Sequence, residues 1–108
     1  MVDAYIRLIL DAGNEEKACA VLGRFTDFVE AVVLDLKPHR DGGFEARVKL
    51  PVVAETWPEQ VVFAIRSAQA FGYGWALSGN VAEAIDMTTR EFKIPGLRFA
   101  WLTLERSR

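Results

Sequence analysis

The side chains best suited to chemistry are few. His39 is the only histidine; it stands beside Arg40 and Asp41 in a stretch rich in turn residues, and an imidazole that titrates near neutrality can serve as a general base. Glu83 and Asp86 are neighbouring carboxylates, and a pair whose pKa values are pushed apart can divide acid and base work. Gly72, Gly74 and Gly79 invite comparison with a glycine-rich phosphate cradle.

Each possibility weakens against what its chemistry requires. Ser-His-Asp catalysis would need Ser67, Ser78 or Ser107 on a nucleophile elbow, and none has that context. Read as a strand, Glu83 and Asp86 have opposite parity and point to opposite faces, so they cooperate only if that segment is helical. Phosphate loops precede a helix N-terminus, whereas these glycines follow one helix and enter a strand, so they read as a helix stop. Cys19 falls on the apolar side of a helical pattern and is expected to be a buried small hydrophobe rather than a reactive thiol. With one Cys and one His there is no disulfide framework, Cys/His metal cage or HExxH pair. No catalytic residue, metal ligand or cofactor is assigned, and His39 alone carries a weak enzymatic alternative.

The elements that would position these groups follow from periodicity. Ala4, Ile6, Leu8 and Leu10 alternate with Tyr5, Arg7, Ile9 and Asp11, the period of a strand. Asn14 is a candidate N-cap before Glu15 and Glu16, and Ala18, Cys19, Val21, Leu22 and Phe25 recur at helical spacing, with Gly23 tolerated on the polar side. Val32, Leu34 and Leu36 and then Phe44, Ala46, Val48 and Leu50 form two alternating runs around Pro38–Gly43, a hairpin whose Asp41-Gly42 supplies positive φ. Charge fixes its register, with Lys37 opposite Glu45 and Asp35 opposite Arg47, and with Leu36, Leu34 and Val32 facing Ala46, Val48 and Leu50 on the core side. Thr56-Trp-Pro-Glu59 reads as a capping box that opens a helix with Val61, Ala64, Ile65, Ala68 and Phe71 on its apolar face. Trp75, Leu77, Val81, Ile85 and Met87 then share one strand parity, with a short helix over 80–86 as the alternative. Residues 88–96 connect to a last strand over Leu97–Leu104.

This order predicts a single α+β domain over 1–108, a ferredoxin-like split βαβ sandwich (βαββαβ plus a C-terminal strand). Its antiparallel sheet carries two helices on one face, in the strand order 4-1-3-2 with the final strand at the edge beside strand 4.

The chain has 108 residues, 51% hydrophobic and 26% charged, with a formal net charge of -2, a composition that folds. The segment Ala4–Leu10 is far below the ~20 apolar residues of a membrane span and lacks a signal peptide's cationic leader, so a cytoplasmic protein without a membrane partner is expected. A pI near 5.4 argues against nucleic acid. The Gly43-Phe-Glu-Ala-Arg-Val48 run places Glu and Arg where an RNA-recognition domain needs stacking rings.

The outer face of such a sheet should be polar, as Asp35, Lys37, Glu45, Arg47 and Lys49 are. Tyr5 and Ile9 break this rule, and so must either Phe99 and Trp101 or Ala100, Leu102 and Leu104. An exposed apolar patch marks an interaction surface unless residues 88–96 fold over it. The sequence therefore predicts a non-catalytic protein-interaction module, inhibitor- or immunity-like or regulatory. It would bind a second copy as a homodimer, or cap a protein partner, through Tyr5, Arg7, Trp75, Phe99 and Trp101. The alternative is a small enzyme or small-molecule sensor with a tryptophan-lined pocket between that face and residues 88–96.

Overall fold

Strand β1 (Val2–Leu10) sends Ala4, Ile6, Leu8 and Leu10 into the core, where apolar residues of both helical segments cover them. The computed structural model describes residues 2–106; Ser107, one of the serines considered above, lies outside them. Helix α1 (Glu15–Phe28) starts where the Asn14 side chain accepts the Lys17 N–H at 2.9 Å, and it buries Ala18, Val21, Leu22 and Phe25. Strands β2 (Val32–Pro38) and β3 (Phe44–Val52) form the expected hairpin. Its turn needs glycine: Gly42 and Gly43 both have positive φ, and a Cβ on Gly43 would overlap the Leu10 carbonyl. Helix α2 (Trp57–Phe71) is capped by Thr56, whose Oγ1 accepts the Glu59 N–H at 3.4 Å and donates to the Glu59 carboxylate at 2.6 Å.

After α2 come the short β4 (Gly72–Tyr73) and β5 (Ala76–Ser78), then β6 (Ala84–Thr89), β7 (Glu91–Phe92) and β8 (Leu97–Glu105). The result is an α+β chain with a six-stranded antiparallel sheet in the order β2-β3-β1-β8-β6-β5. Side chains from both helices join one core cluster with the inward residues of the sheet, and Phe25 meets Phe71 edge-on at 4.8 Å.

Several expectations need correction. The last strand does not lie at the edge; β8 sits between β1 and β6, where Ala100, Leu102 and Leu104 are fully buried. Nine residues with an uninterrupted apolar face suit a central position, and the three-residue β5 takes the exposed edge instead. Lys37–Glu45, Asp35–Arg47 and Leu36–Ala46 stand opposite one another as expected, but a bulge between Val33 and Asp35 shifts the register, so Val33 rather than Leu34 opposes Val48. Val32, Val33 and Leu34 stay exposed.

Residues 80–86 are neither all strand nor a helix. Asn80 turns the chain by accepting the Ala82 N–H on its side chain and the Glu83 and Ala84 N–H groups on its carbonyl, after which β6 begins. Val81 falls in that turn and Leu77 on the edge strand β5, and both are exposed, while Ile85 and Met87 are buried. The connection is shorter than 88–96, because β6 runs through Thr89 and β7 pairs with β4. Gly72 is extended at φ -146 rather than left-handed. It is glycine for want of room, since a Cβ there would lie 3.1 Å from both Thr89 Cγ2 and the Trp75 ring. Cys19 is exposed, because the buried stripe of α1 runs through residues 18, 21, 22 and 25 and leaves position 19 on its flank.

Candidate interaction surface

The sheet face opposite the core is built from the odd-numbered residues of β1, β3 and β8. The ladders bring Arg7 between Arg47 and Trp101, Tyr5 between Lys49 and Thr103, and Ile9 between Glu45 and Phe99. Tyr5, Arg7, Phe99 and Trp101 thus share one surface, and the choice left open for the last strand resolves to Phe99 and Trp101 pointing outward. Tyr5 is 48% and Trp101 41% exposed, whereas Phe99 is half-buried beneath the Arg90 guanidinium, 5.6 Å from its ring centroid.

Trp75 does not belong to this surface. Its indole N–H donates to the Ala68 carbonyl at 3.0 Å and its ring meets Phe71 edge-on at 5.4 Å, on the helix side. Of residues 88–96, Arg90 reaches over the outer face at Phe99, while Ile94 is buried in the core and Phe92 stacks on Phe71, so Tyr5 and Trp101 stay exposed.

Hydrogen bonds hold this face in a fixed geometry. The Asp86 carboxylate accepts the Trp101 indole N–H at 3.0 Å and the Thr103 hydroxyl at 2.9 Å. Glu45, only 8% exposed, accepts the Arg7 Nε–H at 2.6 Å and pairs with Lys37 at 3.5 Å. Burial pushes the Glu45 carboxyl up, but the hydrogen bond and charge of Arg7, aided by Lys37, outweigh it and hold the pKa below the ordinary carboxylate value. Among the described residues Arg47 has no ion pair, so a free guanidinium stands beside the Tyr5, Arg7 and Trp101 side chains.

The side chains considered for catalysis lie apart from one another. His39 Nδ1 accepts the Asp41 N–H at 3.3 Å within the hairpin turn. Glu83 lies in the β5–β6 turn and Asp86 on the sheet face, so the two carboxylates are not brought together. Among the described residues no group of three His, Cys, Asp or Glu could hold a metal, and no helix is long and apolar enough to cross a membrane.

Sequence reasoning missed one cleft. An open apolar cleft of about 1080 Å³ lies on the helix side and is lined by Phe28, Val32, Val53, Val62, Phe63 and Arg66. It contains no tryptophan and does not touch residues 88–96; a smaller pocket of about 470 Å³ has a tryptophan and reaches that segment, with Tyr73, Trp75, Met87 and Lys93 in its lining. Phe28, Val53 and Val62 gave the only signal, as apolar residues outside both helical stripes.

No family model matches the sequence, and no curated protein or solved structure matches the chain.

Proposed function

We propose that this chain is a non-catalytic protein-interaction module that caps a partner protein through the outer sheet face around Tyr5, Arg7 and Trp101. One observation carries the reading: these three neighbouring side chains are exposed on a sheet face that bears no helix, with the Trp101 ring already oriented by Asp86. Tyr, Trp and Arg are the residues that dominate interface energetics, and a pre-oriented ring loses little entropy on binding. The free Arg47 beside them favours a partner that presents a carboxylate, because a bidentate pair supplies geometry as well as charge. Phe99 is the border of this surface, and Trp75 has no part in it.

The architecture is read as a variant of the ferredoxin-like split βαβ sandwich. The run β2-β3-β1-β8 takes the 2-3-1-4 arrangement of that motif, with β8 as its fourth strand and the β5–β6 hairpin extending the sheet. The single unpaired cysteine suits a reducing cytoplasm.

The test is capture from a lysate of the parent cell, followed by titration of the purified captured protein. Trp101→Ala and Arg47→Ala should each weaken binding about tenfold or more, and His39→Ala should leave it unchanged. Binding that is indifferent to Trp101 and Arg47 would refute the assignment.

A further inference from the structure

We propose that two copies of this chain pair antiparallel along their β2 strands, about a two-fold axis at Leu36, to form one continuous sheet. Strand β2 is an edge of the sheet, with only β3 as a neighbour. The His39 N–H donates to the Gly43 carbonyl, which fixes the alternation of the ladder: residues 37 and 35 exchange hydrogen bonds with β3, while Leu36 and Pro38 direct their backbone groups to the open side. Pro38 fits there because the donor it lacks is one β3 does not need. Leu36 N–H and C=O are thus a donor and an acceptor side by side on an exposed edge, the arrangement that a second strand completes.

Charge then selects the register. Hydrogen-bonded pairing requires outward residues to meet outward residues, which leaves few alignments. Centring the axis on Asp35 sets Asp35 against its own copy, and centring it on Lys37 sets like ammonium groups together; both are unfavourable. Centring it on Leu36 lets the two Leu36 residues exchange both backbone bonds and puts Asp35 of each copy opposite Lys37 of the other, in the closer, non-hydrogen-bonded position. Asp35 has no ion pair among the described residues, and the exposed Leu34 would meet Pro38 of the second copy.

A two-fold axis normal to the sheet keeps both outer faces on the same side. The dimer would therefore present two Tyr5–Arg7–Trp101 surfaces in parallel, and binding at one surface of a two-site partner would raise the effective concentration at the other.

The test uses the whole chain in a Cys19→Ser background. Sedimentation from about 10 μM to about 1 mM should show a monomer–dimer equilibrium, weakened about tenfold or more by Leu36→Pro, which removes the outward N–H while leaving the β2–β3 ladder intact. Mixing Asp35→Cys with Lys37→Cys protein should form an intermolecular disulfide faster than Asp35→Cys protein forms one with itself. A monomer throughout that range, a faster Asp35→Cys self-crosslink, or a folded Leu36→Pro variant that dimerises as before would each overturn the proposal. Should Leu36→Pro fail to fold, the cysteine pair decides the question.

Discussion

Trp101 on β8 donates its indole N–H to the Asp86 carboxylate on β6 at 3.0 Å, and the same carboxylate oxygen accepts the Thr103 hydroxyl. A large ring that would otherwise sample several rotamers on an open face is fixed by a neighbour one strand away. Asp86→Ala should therefore lower stability by only about 1 kcal/mol yet shift the Trp101 indole N–H resonance and weaken partner binding. An unmoved indole resonance would show that the bond does not orient the ring.

Glu45 sits between Arg7 and Lys37, and its pKa is held low by them despite burial. A depressed carboxylate contributes stability that is fully present above the usual glutamate value of about 4.3 and is lost as pH falls through the lower folded value. Glu45→Gln should lower the melting temperature at pH 7 by several degrees, a cost of about 1–3 kcal/mol. The gap from wild type should narrow at pH 3. A gap that stays constant across pH would deny the carboxylate its ionic role.

Two glycines should respond oppositely to alanine. Gly43 has φ 75 and no room for a Cβ against the Leu10 carbonyl, whereas Gly23 is helical with nothing within 4 Å. Gly43→Ala should destabilise by more than about 1 kcal/mol. Gly23→Ala should stabilise by about 0.5–1 kcal/mol. Chemical denaturation measures both, and equal effects would contradict the turn geometry.

The exposed Cys19 thiol should react stoichiometrically with a disulfide reagent under native conditions, and Cys19→Ser should leave the unfolding free energy within about 0.5 kcal/mol of wild type. Protection of the thiol until the protein unfolds would place it in the core instead.

The sequence revealed most where the signal was local. Asn14 and Thr56 cap their helices as their side-chain chemistry requires, and Lys37 stands opposite Glu45 and Asp35 opposite Arg47 in the hairpin register, although among the described residues only Lys37 and Glu45 form an ion pair. It was least legible where tertiary choices compete. The bulge at Leu34 has no residue signature of its own, yet it exposes an aliphatic run that alternation alone would bury. The position of β8 depends on whether the β5–β6 hairpin or the last strand claims the place beside β1, and periodicity does not separate the two. For the candidate surface, parity placed Tyr5 and Arg7 on the outer face and limited the last strand to one of two sets. It misled at Trp75, because the extended run is broken at Gly74, with φ 57, between β4 and β5, which belong to different sheets, and strand parity does not persist through that break.

The most direct measurement is quantitative affinity capture with three proteins: wild type, Trp101→Asp on the sheet face, and Val62→Asp in the helix-side cleft. Both substitutions fall at exposed positions, so the fold should survive each, which circular dichroism can verify. If the sheet face is the interaction surface, wild type and Val62→Asp retain the same partner and Trp101→Asp loses it. Retention by Trp101→Asp with loss by Val62→Asp would contradict the assignment and move the site to the cleft.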